Sequence, residues 1–161
     1  MKSQSTRTIA IDHVIIESSH SFDVVRGKLE ALLPRIDDSV FALLRNGESR
    51  RALKLLEAAP RLSIFAFRDH GSLLLIAGLR RRAIQYEIGN PLTASRMTRQ
   101  DVSAGLYAPI RVLLREDANG ITAFEYDRPA STFGQFDNEE IDNVAQQLDS
   151  DLRATLTDAV S

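Results

Sequence analysis

The stretch Tyr86–Pro91, with the sequence YEIGNP, joins a predicted strand to a predicted helix. In the residues that lead into it, apolar and polar side chains alternate, which is the pattern of a half-buried β-strand. Gly89 permits a sharp change of chain direction, Asn90 is a favoured helix N-cap residue, and Pro91 suits the first helical position. We therefore predict a strand that ends at Gly89 and a short helix that begins at Pro91.

Four other segments have the composition of strands. Residues 8–17 are rich in β-branched side chains and have apolar residues on both faces, so we expect a central strand. Residues 62–68 alternate in polarity. Residues 110–115 and 121–126 also alternate, and Asp117–Gly120 between them predicts a tight hairpin.

Helical spacing of apolar residues connects these strands. It predicts a helix over residues 22–33 and a helical insertion over about residues 39–59. Residues 72–79 fit either a buried strand or a short helix, and we favour the helix. Residues 131–134 are interpreted as a loop, and Asp137 with Glu140 as a capping box that starts a long closing helix. That helix has one apolar stripe, formed by Ile141, Val144, Ala145, Leu148, Leu152 and Leu156.

This order of elements favours the α+β class. We predict one domain over residues 1–161, with an antiparallel sheet of about five strands and the closing helix packed on one face. The helical insertion follows the first strand–helix unit. A parallel, doubly wound sheet fits less well, because the last strand pair is joined only by a tight turn.

The composition of the chain limits its functions. The 161 residues carry a net charge of −2 and no cysteine, which excludes disulfides, cysteine nucleophiles and thiolate metal sites. The near-neutral charge gives no indication of a nucleic acid or membrane partner. The N-terminal residues lack the apolar core of a signal peptide, so we expect a cytoplasmic protein.

Residues 62–130 contain an ordered set of short motifs around the strand ends. The motifs are Asp69-His70, Gly78-Leu79, Gly89-Asn90-Pro91, Ala94, Met97, Pro109-Ile110-Arg111, Glu116-Asp117, Gly120, Tyr126 and Pro129. In this order and spacing, the segment resembles the bacterial domain-of-unknown-function family numbered 302.

The resemblance implies a fold similar to the TATA-binding-protein-like class, in which helices grip a curved antiparallel sheet. It also implies homodimers, and it implies no assigned reaction. The chain departs from the family pattern at two places, the helical insertion and the segment Gly105–Pro109, and either departure can reshape a pocket.

Six residues are candidates for a site. His70 lies at a strand end and is either a general acid or base or, as we favour, a local hydrogen-bonding residue. Asn90 opens a helix whose amides either bind an anion or are capped by its own side chain, and we favour capping. The remaining four candidates are Tyr86, Arg111 and Tyr126, which line a pocket if their strands share one face, and Tyr107, which would cover its mouth. Otherwise the tyrosines are core residues with hydroxyls at the surface.

The leading hypothesis is a small-ligand-binding or accessory domain without catalytic machinery. The alternatives are an enzyme that uses His70 with Tyr86, Tyr107 or Arg111, and a protein-interaction module built on the helical insertion. The histidines have no metal-ligand spacing, and we expect neither a metal nor another cofactor. We interpret the arginines at 50–51 and 80–82 as solvated surface rather than a nucleic-acid site.

Overall fold

One antiparallel sheet organises the residues 3–161 that the computed structural model describes. Met1 and Lys2, the first residues of the segment examined for a signal peptide, lie outside this range. The sheet has five strands in the order β1-β5-β4-β3-β2. The strands are β1 (His13–Ser18), β2 (Ser63–Asp69), β3 (Ala83–Gly89), β4 (Ile110–Glu116) and β5 (Thr122–Asp127).

Helices fill the connections between the strands, except for the β4–β5 hairpin, in keeping with the α+β prediction. They are α1 (Phe22–Leu32), α2 (Ser39–Arg45), α3 (Ser49–Ala58), α4 (His70–Leu74), α5 (Pro91–Thr98), α6 (Pro129–Phe133) and α7 (Glu139–Val160). Three short 3₁₀ segments cover Leu75–Ala77, Val102–Tyr107 and Gly134–Phe136. The predicted start of α5 at Pro91 and the long closing helix α7 are both confirmed. Among residues 3–161, none of the helices has the length and apolar character needed to cross a bilayer.

The pairing register divides the sheet into a core face and an open face. Tyr86 pairs with Val112, and Val112 pairs with Tyr126, so these three side chains share the core face. The core face joins buried residues of α1 and α7 in one hydrophobic cluster. Arg111 pairs with Glu87 on the open face, which is largely polar. An antiparallel sheet with one buried and one solvated face explains the alternation seen in the sequence.

The position predicted for the first strand is wrong. β1 begins at His13 and forms one edge of the sheet, where it pairs only with β5. Ile15 on its open face is 51% exposed, which accounts for the apolar residues on both faces without a central position. An exposed β-branched residue at an edge gives the same sequence pattern as a buried one.

A β-bulge changes the faces of β2. The register shifts between Ile64 and Ala66, so Ile64 and Phe67 both lie on the core face, beside Ile88 and Tyr86. Strict alternation along the sequence predicts that Phe67 lies on the same face of the sheet as Phe65 and on the face opposite to that of Ile64. The extra residue in the bulge reverses that assignment for the second half of the strand.

The segment before α7 also differs from expectation. Residues 129–133 form helix α6, where a loop was predicted, and Pro129 occupies its first turn. The N-cap of α7 is Asn138, whose Oδ1 accepts a hydrogen bond from the Ile141 amide at 3.1 Å. Asp137 does not cap the helix, because its backbone is in the left-handed region with φ +49°.

Candidate functional site

The strand-to-helix joint is held together by the Asn90 side chain. Its Oδ1 accepts hydrogen bonds from the amides of Leu92 at 2.8 Å and Thr93 at 3.2 Å, and its Nδ2 donates to the Pro60 carbonyl at 3.1 Å. The Ala94 amide donates to the Asn90 carbonyl at 2.9 Å. Pro91 has no amide hydrogen, so all four amide positions that open α5 are accounted for. The geometry therefore supports capping and leaves no free donors for an anion.

A cavity of about 350 Å³, which we call the joint cavity, lies beside this joint. It is formed where α2, β2, the end of β3, α5 and α7 meet. Its lining residues are Phe41, Leu44, Phe65, Ile88, Gly89, Asn90, Pro91, Thr93, Ala94, Ser95, Met97, Thr98, Ala108, Pro109, Ile110 and Leu148. None of these is charged or a histidine, within the part of the chain described. The cavity is therefore suited to uncharged, largely apolar chemistry.

Two segments that are far apart in the sequence contribute to the joint cavity. Phe41 and Leu44 come from α2 in the helical insertion, and the Phe41 ring lies 6.5 Å from that of Phe65. Ala108 and Pro109, which are joined by a cis peptide bond, close the other side. Helix α2 and the segment before β4 thus meet across the cavity that they help to line.

Tyr86 does not line the joint cavity; it lines a separate pocket together with Arg26 and Glu30 of α1. It is fully buried, and its hydroxyl donates to Glu30 Oε1 at 2.8 Å. Burial and the Glu30 hydrogen bond raise the pKa of Tyr86. The pKa of Glu30 lies below its ordinary value. Partial burial acts to raise this pKa, but the hydrogen bonds donated by Arg26 and Tyr86 lower it by more. Tyr86 is thus a neutral phenol that ties the sheet to α1.

Tyr107 and Arg111 are the two candidates that share a depression. They line a small hollow of about 90 Å³ at the start of β4, together with Asp127. The Tyr107 ring packs edge-to-face on Phe133 and Phe136, at 6.1 Å from each. Arg111 points from the open face and forms no ion pair with a described residue. The hollow is too small for a ligand of drug size.

Tyr126 and His70 lie in other places. Tyr126 is 2% exposed on the core face, and burial raises the pKa of its hydroxyl. His70 is the first residue of α4, where the Asp69 carboxylate caps the helix by accepting from the Ser72 amide at 2.9 Å. Asp69 pairs with Ile84 near the start of β3, whereas Asn90 follows the end of β3. His70 and Asn90 are therefore separated by roughly 20 Å of strand.

The predicted common pocket is thus not formed. Arg111 lies on the opposite face from Tyr86 and Tyr126, because adjacent residues of a strand alternate between faces. His70 and Asn90 lie at opposite ends of the sheet. Of the six candidate residues, Asn90 alone lines the joint cavity. Tyr107 and Arg111 line the small hollow at the start of β4 together.

A polar cluster on the open face was not identified from the sequence. His13 Nδ1 lies 3.0 Å from Asp127 Oδ1, and His13 Nε2 lies 3.4 Å from Glu125 Oε2. Arg115 Nε donates to Glu125 at 2.7 Å. The hydrogen bond to Asp127 is the main cause that raises the pKa of His13. Only the pairing of β1 with β5 brings these residues together, and the sequence contains no signal for that pairing.

Metal ligation has no support in the geometry described. Within residues 3–161, no group of three or more histidine, aspartate or glutamate side chains is arranged to hold a metal ion.

The fold and the joint cavity define an α+β domain with an open sheet and one uncharged, apolar cavity. The sequence model of the family described as "Domain of unknown function DUF302" matches residues 46–159. The chain belongs to this family. The match extends on both sides of the predicted family-like core of residues 62–130 and includes α3 and α7.

The solved structures include a similar fold. A protein described as an uncharacterized conserved protein DUF302 from Bacillus stearothermophilus aligns with a TM-score of 0.67 and 16% sequence identity. The alignment covers 92% of this chain and 98% of that chain, so the two share one overall fold. A comparison with curated proteins finds no match. The likeness to the TATA-binding-protein class stays a prediction.

Proposed function

We propose that the protein binds a small, uncharged and largely apolar molecule in the joint cavity. The observation that carries this proposal is the lining, which encloses about 350 Å³ without a charged side chain. A volume of this size is at the lower end of the range for small-molecule sites. Burial of a ligand's apolar surface in such a cavity supplies about 25 cal/mol for each Å² removed from water.

Few polar groups of the cavity are available to orient a ligand. Asn90 uses its side chain for the helix cap and for Pro60, and the Ser95 hydroxyl donates to the Leu92 carbonyl at 2.8 Å. The hydroxyls of Thr93 and Thr98 are the polar side-chain groups of the lining that are left for a ligand. This favours a ligand with one or two neutral polar atoms, such as an alcohol or an uncharged diarylamine, over a phosphate or carboxylate.

The proposal is tested with the uncharged fluorescent probe N-phenyl-1-naphthylamine. We expect saturable binding to the full chain and a rise in its melting temperature, because ligand at 100 times its Kd stabilises a folded protein by about 2.7 kcal/mol. Ala94→Phe, which places a ring in the joint cavity, is expected to abolish binding. Ala154→Phe, at an exposed position of α7, is the matched control and is expected to leave binding unchanged.

Equal binding by both variants would rule out the joint cavity as the site. Native mass spectrometry of the purified protein provides a second readout, in which a co-purified neutral compound lost in Ala94→Phe supports the proposal. A flat thermal-shift screen of neutral metabolites together with no probe binding would contradict it.

The alternative of an enzyme that uses His70 requires Tyr86, Tyr107 or Arg111 close to the imidazole. His70 lies at the opposite end of the sheet from Tyr107, and Tyr86 is buried on a face different from that of Arg111. Cytoplasmic location and homodimer formation belong to the proposal as expectations, the second from the family resemblance. Cell fractionation and light scattering, respectively, would check them.

A further inference from the structure

The segment Leu73–Arg82, which we call the β2–β3 crossover, exposes an unusual set of side chains. Four of its aliphatic residues are mainly in solvent: Leu73 is 58%, Leu75 54%, Ile76 88% and Leu79 50% exposed. They occupy the end of α4, the following 3₁₀ segment and the residue after Gly78. Exposed apolar residues scattered singly are normal, but four within seven consecutive positions concentrate apolar surface in one short segment, which we call the apolar patch.

Arginines form the base of this patch. A shallow cleft of about 470 Å³ is lined by Arg26, Arg80, Arg81 and Arg82, with Leu75 at its border. Two carboxylates, Asp69 and Glu116, also line the cleft.

Two of these arginines have their charge available to a partner. Arg26 pairs with Glu30, and Arg82 pairs with Asp23 while its guanidinium lies over the Phe22 ring. Arg80 and Arg81 form no ion pair with any residue between 3 and 161.

The arginine segment and the segment that carries the apolar patch lie directly against each other. A Cβ built on Gly71 would lie 2.5 Å from the Arg81 carbonyl oxygen and 3.0 Å from the Ala83 amide nitrogen. Only glycine at this position lets the arginine segment lie directly against α4. The Leu79 amide also donates to the Leu74 carbonyl at 3.0 Å, which holds the returning chain against the helix.

From this arrangement we propose that the β2–β3 crossover docks on an anionic phospholipid surface. The four aliphatic side chains enter the headgroup–acyl boundary, and Arg80 and Arg81 contact lipid phosphates from the cleft at their base. Apolar insertion combined with basic residues is the general chemistry of peripheral membrane attachment. This surface lies at the end of the sheet opposite the joint cavity. Lipid docking and ligand binding in the joint cavity can therefore be tested independently.

Two features favour lipid over other partners. The aliphatic residues project from the surface, with Ile76 at 88% exposure, and a soft bilayer accepts such a projection without a matching groove. Nucleic acid is less suited, because single-strand binding uses stacking aromatics and the crossover has none. The sequence alone had indicated a solvated loop and no membrane partner, since it did not show that the leucines are exposed.

Sedimentation with vesicles tests the proposal on the full chain. We expect binding to vesicles of equal parts phosphatidylglycerol and phosphatidylcholine, and weak binding to phosphatidylcholine alone. Binding to the anionic vesicles is expected to fall with added salt. The double change Arg80→Gln and Arg81→Gln is expected to weaken binding by roughly 30-fold, from about 1 kcal/mol for each arginine near an anionic surface. Ile76→Ser is expected to weaken it by about tenfold.

Matched controls separate the surface from general charge and apolarity. Arg50→Gln with Arg99→Gln makes the same change of net charge elsewhere, and Val102→Ser removes an aliphatic side chain that is 83% exposed in another 3₁₀ segment. Both controls are expected to bind vesicles like the parent chain. Melting temperatures should stay unchanged in all variants, because each altered side chain is exposed.

Three outcomes would overturn the proposal. The first is equal loss of binding in the controls and in the crossover variants. The second is competition by free glycerol phosphate at concentrations similar to those of vesicle phosphate, which would indicate a soluble phosphorylated ligand. The third is the absence of vesicle binding by a chain that instead binds duplex DNA or self-associates, with that activity lost in Ile76→Ser.

Discussion

Replacement of Asn90 with alanine tests whether the joint depends on this single side chain. The change removes an acceptor for the Leu92 and Thr93 amides, and loss of a helix N-cap costs about 1 kcal/mol. It also removes the Nδ2 donor to the Pro60 carbonyl, and a hydrogen bond at a partly solvated position contributes roughly 0.5 kcal/mol. We therefore expect a loss of about 1.5 kcal/mol in the free energy of unfolding.

Urea denaturation and thermal unfolding measure this loss. For a chain of this size, 1.5 kcal/mol lowers the melting temperature by about 3–6 °C. Asn90→Ser keeps an acceptor for the cap and is expected to recover most of the difference. Ser21→Ala is the control, because Ser21 occupies the N-cap of α1 without a side-chain hydrogen bond to the helix. If Asn90→Ala is no more destabilising than Ser21→Ala, the account of the joint is wrong.

Three further changes test other parts of the structure. Tyr86→Phe removes the buried hydrogen bond to Glu30, and urea denaturation should show a loss of about 1 kcal/mol. Thr122→Val removes a buried hydroxyl that has no hydrogen-bond partner among residues 3–161, so the melting temperature should rise, and a fall would contradict this account. The pKa of His13 is raised in the folded chain by Asp127, so its stabilisation is present below the unfolded pKa and is lost as pH rises through the folded pKa. His13→Gln should therefore destabilise the protein at about pH 6 and have little effect at about pH 8, and a pH-independent effect would refute the assignment.

The elements with strong local signals were predictable from the sequence. Asn90 and Pro91 identified the start of α5 because capping and a fixed proline φ act within a few residues. The stripe from Ile141 to Leu156 identified α7 because all of its members face one core. The hairpin at Asp117–Gly120 was equally local, and Gly120 has the positive φ that such a turn requires.

Errors arose where distant segments decide the outcome. The edge position of β1 depends on which strand pairs with it, and no residue of β1 encodes the choice of β5. The bulge after Ile64 shifts the faces of β2 without a glycine or proline to mark it. The N-cap of α7 is Asn138 rather than Asp137, because α6 and the following 3₁₀ segment determine where α7 begins. The sequence had predicted a loop in place of α6.

The candidate site failed as a unit for the same reason. The pocket required Tyr86, Arg111 and Tyr126 to share one face of the sheet. Tyr86 and Tyr126 do share a face, but Arg111 precedes Val112 in β4 and therefore lies on the opposite face. The joint cavity depends on Phe41 and Leu44, which lie far from the joint in sequence. Only the packing of α2 against β2 makes them neighbours of Asn90.

The pairing of β1 with β5 has a consequence for how this family is delimited. The match to the family's sequence model starts at residue 46, yet the edge strand β1 and helix α1, with Val25 and Leu29 fully buried, precede that residue. A polypeptide that started at residue 46 would leave β5 with a bare hydrogen-bonding edge and the interior half uncovered, and such edges promote aggregation. The range that the family's sequence model matches is thus shorter than the length that must fold together.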